Sequence, residues 1–159
     1  MNGLRVSVKD NIHLEGVKTS IGSRAYVDMY GPQTETAAFV KKFIDMGAVI
    51  IGKTKVNAFA GSEKPPNQAI DYFPPWNPRA DGYLRPPGSS SGAGVAVAGY
   101  EWCDVAIGTD SRYPHMHWYN STDSPATGSG REPARATGVQ GLRLSGKSLP
   151  MDGVVPSSE

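Results

Sequence analysis

A lysine and a run of serines are the residues of this chain that could carry acid–base and nucleophilic chemistry. Lys9 follows the apolar segment "VSV", and three consecutive serines stand in the glycine-rich stretch "GSSSGAG", residues 88–94. A serine hydroxyl is a weak nucleophile that needs a base beside it. A lysine buried among hydroxyls loses its proton more easily than one in water, so it could be that base. The alternatives are a surface lysine at a strand end and a simple linking turn.

The glycine-rich stretch could instead bind an anion, because glycine-rich turns that precede helices bind phosphate groups. The stretch lacks the lysine of the phosphate-binding pattern G-x-x-x-x-G-K-[ST], so that pattern is not matched. The interpretation of the chain as a small nucleotide-binding α/β domain therefore depends on this loop alone, and it is kept as an alternative.

Alternating and apolar segments predict the elements that must position these residues. Strands are predicted at 4–10, 48–54 and 103–110, with further strand and turn pieces at 138–145 and 151–156. One helix is predicted within 31–48, capped by Thr34 or Thr36 and stopped by Gly47. Its apolar face is predicted to consist of Ala37, Val40, Phe43 and Ile44. A second, buried helix is predicted to follow the serine loop, and the order of elements is typical of an α/β protein.

The bulk composition excludes several classes of function. The chain has 159 residues and a net charge of +1 without a basic run, so nucleic-acid binding is not expected. No apolar run is long enough to span a membrane, and the first residues lack the apolar core of a signal peptide. The single cysteine, Cys103, is predicted to be buried, and it favours a reducing compartment, so a cytoplasmic location is expected.

Eight short motifs, taken together and in order, resemble those of the amidase signature family of serine hydrolases. They are "VSVKDNI", "GKT", "WNP", "PPGSSSGAG", "AIGTD", "TGSGREPA", "GLRLS" and "DGVVP". The resemblance covers almost the whole chain, and it implies an α/β fold with a mixed sheet and packed helices. It also implies hydrolysis of the C–N bond of a small-molecule carboxylic amide, with no cofactor and no metal.

The resemblance implies a catalytic role for three residues. Lys9 matches the general base, Ser90 matches the bridging serine that the family holds with a cis peptide bond, and Ser129 matches the nucleophile that becomes acylated. A proton would then pass from Ser129 through Ser90 to neutral Lys9 while Ser129 attacks the amide carbonyl.

Five further residues are implied to support this chemistry. The backbone N–H groups of Ala126, Thr127 and Gly128, just before the nucleophile, match the oxyanion hole. Asp110 and Arg131 match positions that organise the nucleophile loop. The sequence departs from the family pattern in small ways: Ser89 and Ala93 replace glycines of the serine loop, and "GKTKVNAFA" lacks the usual Asn-x-x-Glu.

Members of the family are usually several hundred residues long, so residues 1–159 are expected to form one partial amidase domain. The parts of the family fold before Lys9 and after "DGVVP" would be missing. The exposed sheet edges of such a fragment are expected to favour self-association. Two functions stay open, an active amidase and a truncated fragment without enzymatic activity.

Residues 112–126 do not fit the family pattern, because their deletion leaves the uninterrupted stretch "GTDSTGSGREPA". An insertion there is expected to separate Asp110 from Ser129 and to disable the nucleophile turn. The alternatives are a surface loop and a translated intron, which the nucleotide sequence would distinguish. His115 and His117 lie in this segment, but the sequence identifies no third ligand for a metal.

Overall fold

The computed structural model describes residues 1–61, 71–110, 128–145 and 148–156. Three strands, β1 (Arg5–Lys9), β2 (Val49–Thr54) and β3 (Val105–Ile107), alternate with helices. The α-helices are α1 (Arg24–Met29), α2 (Ala38–Asp45), α3 (Ser91–Gly99) and α4 (Arg131–Thr137), and a short 3-10 turn spans Ala58–Ala60. The three long predicted strands and the helix after the serine loop are therefore confirmed. Helices α1 and α4 were not predicted.

The described strands form a parallel sheet in the order β2-β1-β3. The register aligns Lys9 with Thr54 on β2 and Val8 with Ile107 on β3, so all three strands end at the same edge. The α/β prediction is confirmed. The described strands are all parallel rather than mixed, and the predicted piece at 151–156 contributes one isolated antiparallel bridge, Ile12 to Val154.

The hydrophobic core lies between β1, the segment that follows it, and α2. Its buried members are Val8, Ile12, Leu14, Ala37, Phe39 and Val40. The predicted face of α2 is partly wrong, because Ile44 is 45% exposed and Phe39 is buried in its place. The predicted threonine cap is also wrong: the helix begins after Ala37, and the Thr36 hydroxyl accepts the N–H of Glu15 instead.

Helices α3 and α4 pack against each other, and α3 also contacts β1 and β3. Helix α3 consists of small residues, which allows the close approach of the neighbouring elements. Helix α4 is not predicted from its sequence, "REPARAT", because this segment contains a proline and lacks apolar residues at helical spacing. That proline lies in the first turn, where the missing N–H costs no helical hydrogen bond.

Among the described residues no helix is long and apolar enough to cross a membrane. Cys103 is a free thiol at 5% exposure, as predicted for a small buried residue. No cluster of three metal-ligating side chains occurs within the described part of the chain.

We expect Val40→Ala to destabilise the fold by roughly 2 kcal/mol, because Val40 is fully buried and the substitution removes two packed methyl groups. Ile44→Ala on the exposed side of α2 is the matched control and should change stability by less than about 0.5 kcal/mol. Urea unfolding followed by circular dichroism measures both. Equal losses from the two variants would contradict a core that contains Val40 and leaves Ile44 outside.

Candidate active site

Lys9 is a fully buried lysine at the end of the central strand. Its Nζ lies 2.7 Å from Ser89 Oγ and 2.6 Å from Thr109 Oγ1. Burial lowers the pKa of Lys9 to about 7, because the charged ammonium loses its hydration, while the more distant Asp110 carboxylate opposes that shift. A lysine in this state exchanges its proton near neutral pH, as a general base must.

The end of β1 is held by the residue after Lys9. The Asp10 carboxylate pairs with Lys53 Nζ at 2.6 Å and accepts the Ser20 N–H at 3.2 Å. The Asp10 backbone is tied on both sides, its N–H to Thr54 O and its carbonyl to the Ile21 N–H. These contacts fix the direction in which the chain leaves the strand, and thereby the position of Lys9.

The three serines of the glycine-rich stretch are buried at the start of α3, and each hydroxyl has a different partner. Ser89 Oγ contacts Lys9. Ser90 Oγ donates to the Thr109 carbonyl at 3.3 Å, and Ser91 Oγ donates to Asn57 Oδ1 at 3.3 Å. The hydroxyl beside the lysine therefore belongs to Ser89 rather than to Ser90, which the family pattern aligns with the bridging position.

The cis peptide bond of the loop joins Gly88 to Ser89. The family pattern assigns a cis bond to Ser90, so that assignment is wrong by one residue. The error arises from the run of three serines, because aligning the sequence with the family motif cannot distinguish neighbouring hydroxyls.

Asn57, which the sequence did not single out, holds the serine loop against the end of β2. Its backbone N–H donates to the Ser89 carbonyl at 3.2 Å. A Cβ on Gly88 would lie 1.7 Å from Asn57 Nδ2, so only glycine fits there. The sequence signal that could have indicated this contact is the glycine at position 88, because a glycine allows another group to approach the backbone closely.

Ser129 lies in the turn before α4, half-buried and next to the serine loop in space. Its carbonyl accepts the Ser90 N–H at 3.0 Å. The catalytic role of Ser129 stays a prediction, and the backbone contact places its turn beside the hydroxyls that contact Lys9.

Asp110 ties together the turn that carries Ser129. Its Oδ2 accepts the N–H groups of Gly130 and Arg131 at 3.2 and 2.9 Å, and the Arg131 guanidinium binds both carboxylate oxygens. Burial alone would raise the pKa of Asp110, but the hydrogen bonds from Arg131 and Gly130 outweigh it and lower the pKa. A Cβ on Gly128 would lie 1.6 Å from Asp110 Oδ1, so this glycine is required for the contact.

Two of the three predicted oxyanion-hole residues, Ala126 and Thr127, lie outside the described residues, as does the predicted insertion at 112–126 with His115 and His117. Gly128 is the member of that trio that the structure describes, and it is buried.

Comparisons with known proteins agree on one family. The family profile named Amidase matches residues 1–159. A glutamyl-tRNA(Gln) amidotransferase subunit of Deinococcus deserti is 38% identical over 142 residues, which are 89% of this chain and 25% of that protein. This chain therefore spans about a quarter of the length of that relative.

Two solved structures have a similar fold over 98% of this chain. The first belongs to an inhibitor-bound vestigial protein complex connected with the origins of an s-triazine catabolic enzyme; it has a TM-score of 0.78 and 29% identity, with 30% of its chain covered. The second is the native peptide amidase of Stenotrophomonas maltophilia, with a TM-score of 0.69 and 30% identity, of which 28% is covered.

We expect the stability of the protein to rise with pH between about 7 and 10.5, in part because of Lys9. Its folded-state pKa is lower than its ordinary value of 10.5, so the unfolded chain binds more protons in that window, and raising the pH favours folding. Burial also lowers the pKa of Lys53, which contributes in the same direction.

The difference between wild type and Lys9→Met isolates the contribution of Lys9, and urea unfolding at several pH values measures it. The variant should show a smaller rise of stability with pH. Lys42→Met, at an exposed position of α2, should retain the wild-type slope. A Lys9→Met slope equal to that of wild type would show that Lys9 keeps its ordinary pKa.

Proposed function

The chain belongs to the amidase family, and from that premise we propose that it cleaves the C–N bond of a carboxylic amide through an acyl-enzyme on Ser129. The observation that carries the proposal is the buried Lys9 amine, with a pKa of about 7, in contact with a serine hydroxyl. The proposed substrate is a small-molecule amide, and the chemistry requires only protein groups.

The first chemical step is a proton relay. Neutral Lys9 accepts the proton of the Ser89 hydroxyl, Ser89 accepts the proton of Ser129, and Ser129 Oγ attacks the carbonyl carbon of the amide. When the C–N bond breaks, the proton returns along the same relay to the leaving amine. Water then attacks the ester on Ser129, which releases the carboxylic acid.

Ser89 takes the bridging role in this scheme because it contacts the lysine at 2.7 Å. Ser90, which the family pattern favours, has its hydroxyl directed to the Thr109 carbonyl and its N–H directed to the Ser129 carbonyl. Ser90 is therefore assigned the role of holding the nucleophile turn next to the relay.

The negative charge that develops on the carbonyl oxygen requires N–H donors. We assign these to Gly128 with Ala126 and Thr127, as the family resemblance implies. Support comes from Asp110, which binds the N–H groups of Gly130 and Arg131 and so fixes the turn that follows Gly128.

The competing possibility is that the chain folds but is catalytically inactive, since it spans about a quarter of a relative such as the Deinococcus deserti protein. The substrates and partners of longer relatives are their own, and for this chain an amide substrate is a proposal. A serine-directed probe separates the two possibilities, because it needs an activated serine but no fitted substrate.

We expect a fluorophosphonate probe to label the purified chain, with peptide mapping that places the adduct on Ser129. Ser129→Ala should abolish the labelling, and Lys9→Met should slow it by about 10²–10⁴-fold through loss of the base. Ser145→Ala, at an exposed position, is the control that should label like wild type. A folded wild-type chain that stays unlabelled would contradict the proposal and favour the inactive alternative.

A second comparison decides which serine bridges the relay. Ser89→Ala removes the hydroxyl that contacts Lys9, so the labelling rate should fall about 10²–10⁴-fold. Ser90→Ala leaves the backbone contact to Ser129 intact, so its loss should be much smaller. The reverse order of the two rates would restore the bridging role to Ser90.

A further inference from the structure

Among the described residues, two side chains contact the Lys9 amine, and Thr109 makes the shorter contact. Thr109 Oγ1 lies 2.6 Å from Lys9 Nζ, compared with 2.7 Å for Ser89 Oγ. The sheet register explains this proximity: Val8 aligns with Ile107, so the chain that continues past β3 passes beside the end of β1. The proposed relay gives this contact no role.

The chemistry of a neutral amine makes the contact consequential. Neutral Lys9 carries two N–H donors and a single lone pair. To accept the proton of Ser89, the amine must direct that lone pair at Ser89 and its hydrogens elsewhere. A neighbour that could only accept a hydrogen bond would enforce this orientation. A neighbour that donated to the lone pair would block the base.

Asn11 makes Thr109 an acceptor. The Asn11 side chain is buried, and its Nδ2 donates to the Val155 carbonyl at 3.0 Å and to Thr109 Oγ1 at 3.4 Å. A carbonyl can only accept, so the contact to Val155 fixes the NH₂ end of the amide on this side. Thr109 Oγ1 thus accepts from Asn11 and from Lys9, which occupies both of its lone pairs and turns its own proton away from Lys9.

We propose that Thr109 is a positioning residue for the Lys9 base: its hydroxyl oxygen, fixed as an acceptor by Asn11, holds one N–H of Lys9 and directs the amine lone pair at Ser89. This inference rests on the proposed function for its catalytic consequence, but the contact also alters the titration of Lys9, which is measurable without activity.

Among the described residues, few charged groups lie near Lys9 and could complicate that titration. Helix α3 and strand β3 contain no ionisable side chain. On β2 the ammonium of Lys53 pairs with Asp10. Asp110 is the charged group that acts on Lys9 from the β3 side. Asp110 directly follows Thr109, so a variant that keeps the hydroxyl is needed to separate the lost acceptor from a displaced Asp110.

The test compares Thr109→Val, which keeps the shape and removes the hydroxyl, with Thr109→Ser, which keeps the hydroxyl. The Thr109 oxygen binds an ammonium more strongly than an amine, so its removal lowers the pKa of Lys9. In Thr109→Val the midpoint of the labelling-rate profile should move to lower pH, and the maximal rate should fall about 100-fold because the amine is misdirected. Thr109→Ser should restore both.

The pKa of Lys9 is also followed by NMR of its side-chain Cε, assigned as the resonance that is missing from Lys9→Met. A lower pKa of Lys9 in Thr109→Val supports the proposal whether or not the probe labels the chain. Failure of the proposed function can therefore be distinguished from failure of the role proposed for Thr109. A slower rate with an unchanged Lys9 pKa would show a merely structural role and would overturn it. Thr109→Ala provides the same readouts if Thr109→Val does not fold.

Discussion

The candidate site depends on burying one lysine without giving it a carboxylate partner from the residues that the structure describes. A carboxylate in contact would keep the ammonium charged, and a fully hydrated lysine would keep its ordinary pKa. Within the described part of the chain, two acids lie close to Lys9 in the sequence or in space, and both are engaged elsewhere. Asp10 pairs with Lys53, and Asp110 is bound by Arg131 and approached by Arg143 at 3.7 Å. The nearest partners left to Lys9 are two hydroxyls, so desolvation dominates and its pKa falls to about 7.

The parallel sheet brings the residues of the site together from distant parts of the sequence. All three strands end at one edge, which places Lys9 at the end of β1 beside the segment that follows β3. The serine loop reaches the same edge because Gly88 allows Asn57, just past β2, to approach the backbone. Polar residues collect where parallel strands end, since the loops there converge from several strands. The site is therefore a product of strand register as much as of the individual side chains.

Much of this arrangement could be predicted from the sequence, and the parts that could not have physical causes. The strands are short apolar runs between turn residues, and β1, β2 and β3 all lie at positions where that pattern occurs. Lys9 could be identified because it ends such a run. The partner of Lys9 could not, because three adjacent serines offer hydroxyls that differ only in direction, and direction is set by the backbone of the loop. Thr109 and Asn57 act through contacts between distant segments, which a pattern within one segment cannot reveal.

The contact between Asp110 and the turn that carries Ser129 also bears on the suspected insertion. The sequence suggested that residues 112–126 separate Asp110 from Ser129. Yet Asp110 binds the N–H groups of Gly130 and Arg131, and Gly128 lies against its carboxylate. The two halves of the turn are thus joined by four hydrogen bonds to Asp110, from two backbone N–H groups and the Arg131 guanidinium. The cost of closing a longer loop grows only slowly, by about 0.6 kcal/mol for each doubling of its length. A longer segment between Asp110 and Gly128 therefore adds a small entropic cost, and Asp110 holds the described part of the turn, Gly130 and Arg131.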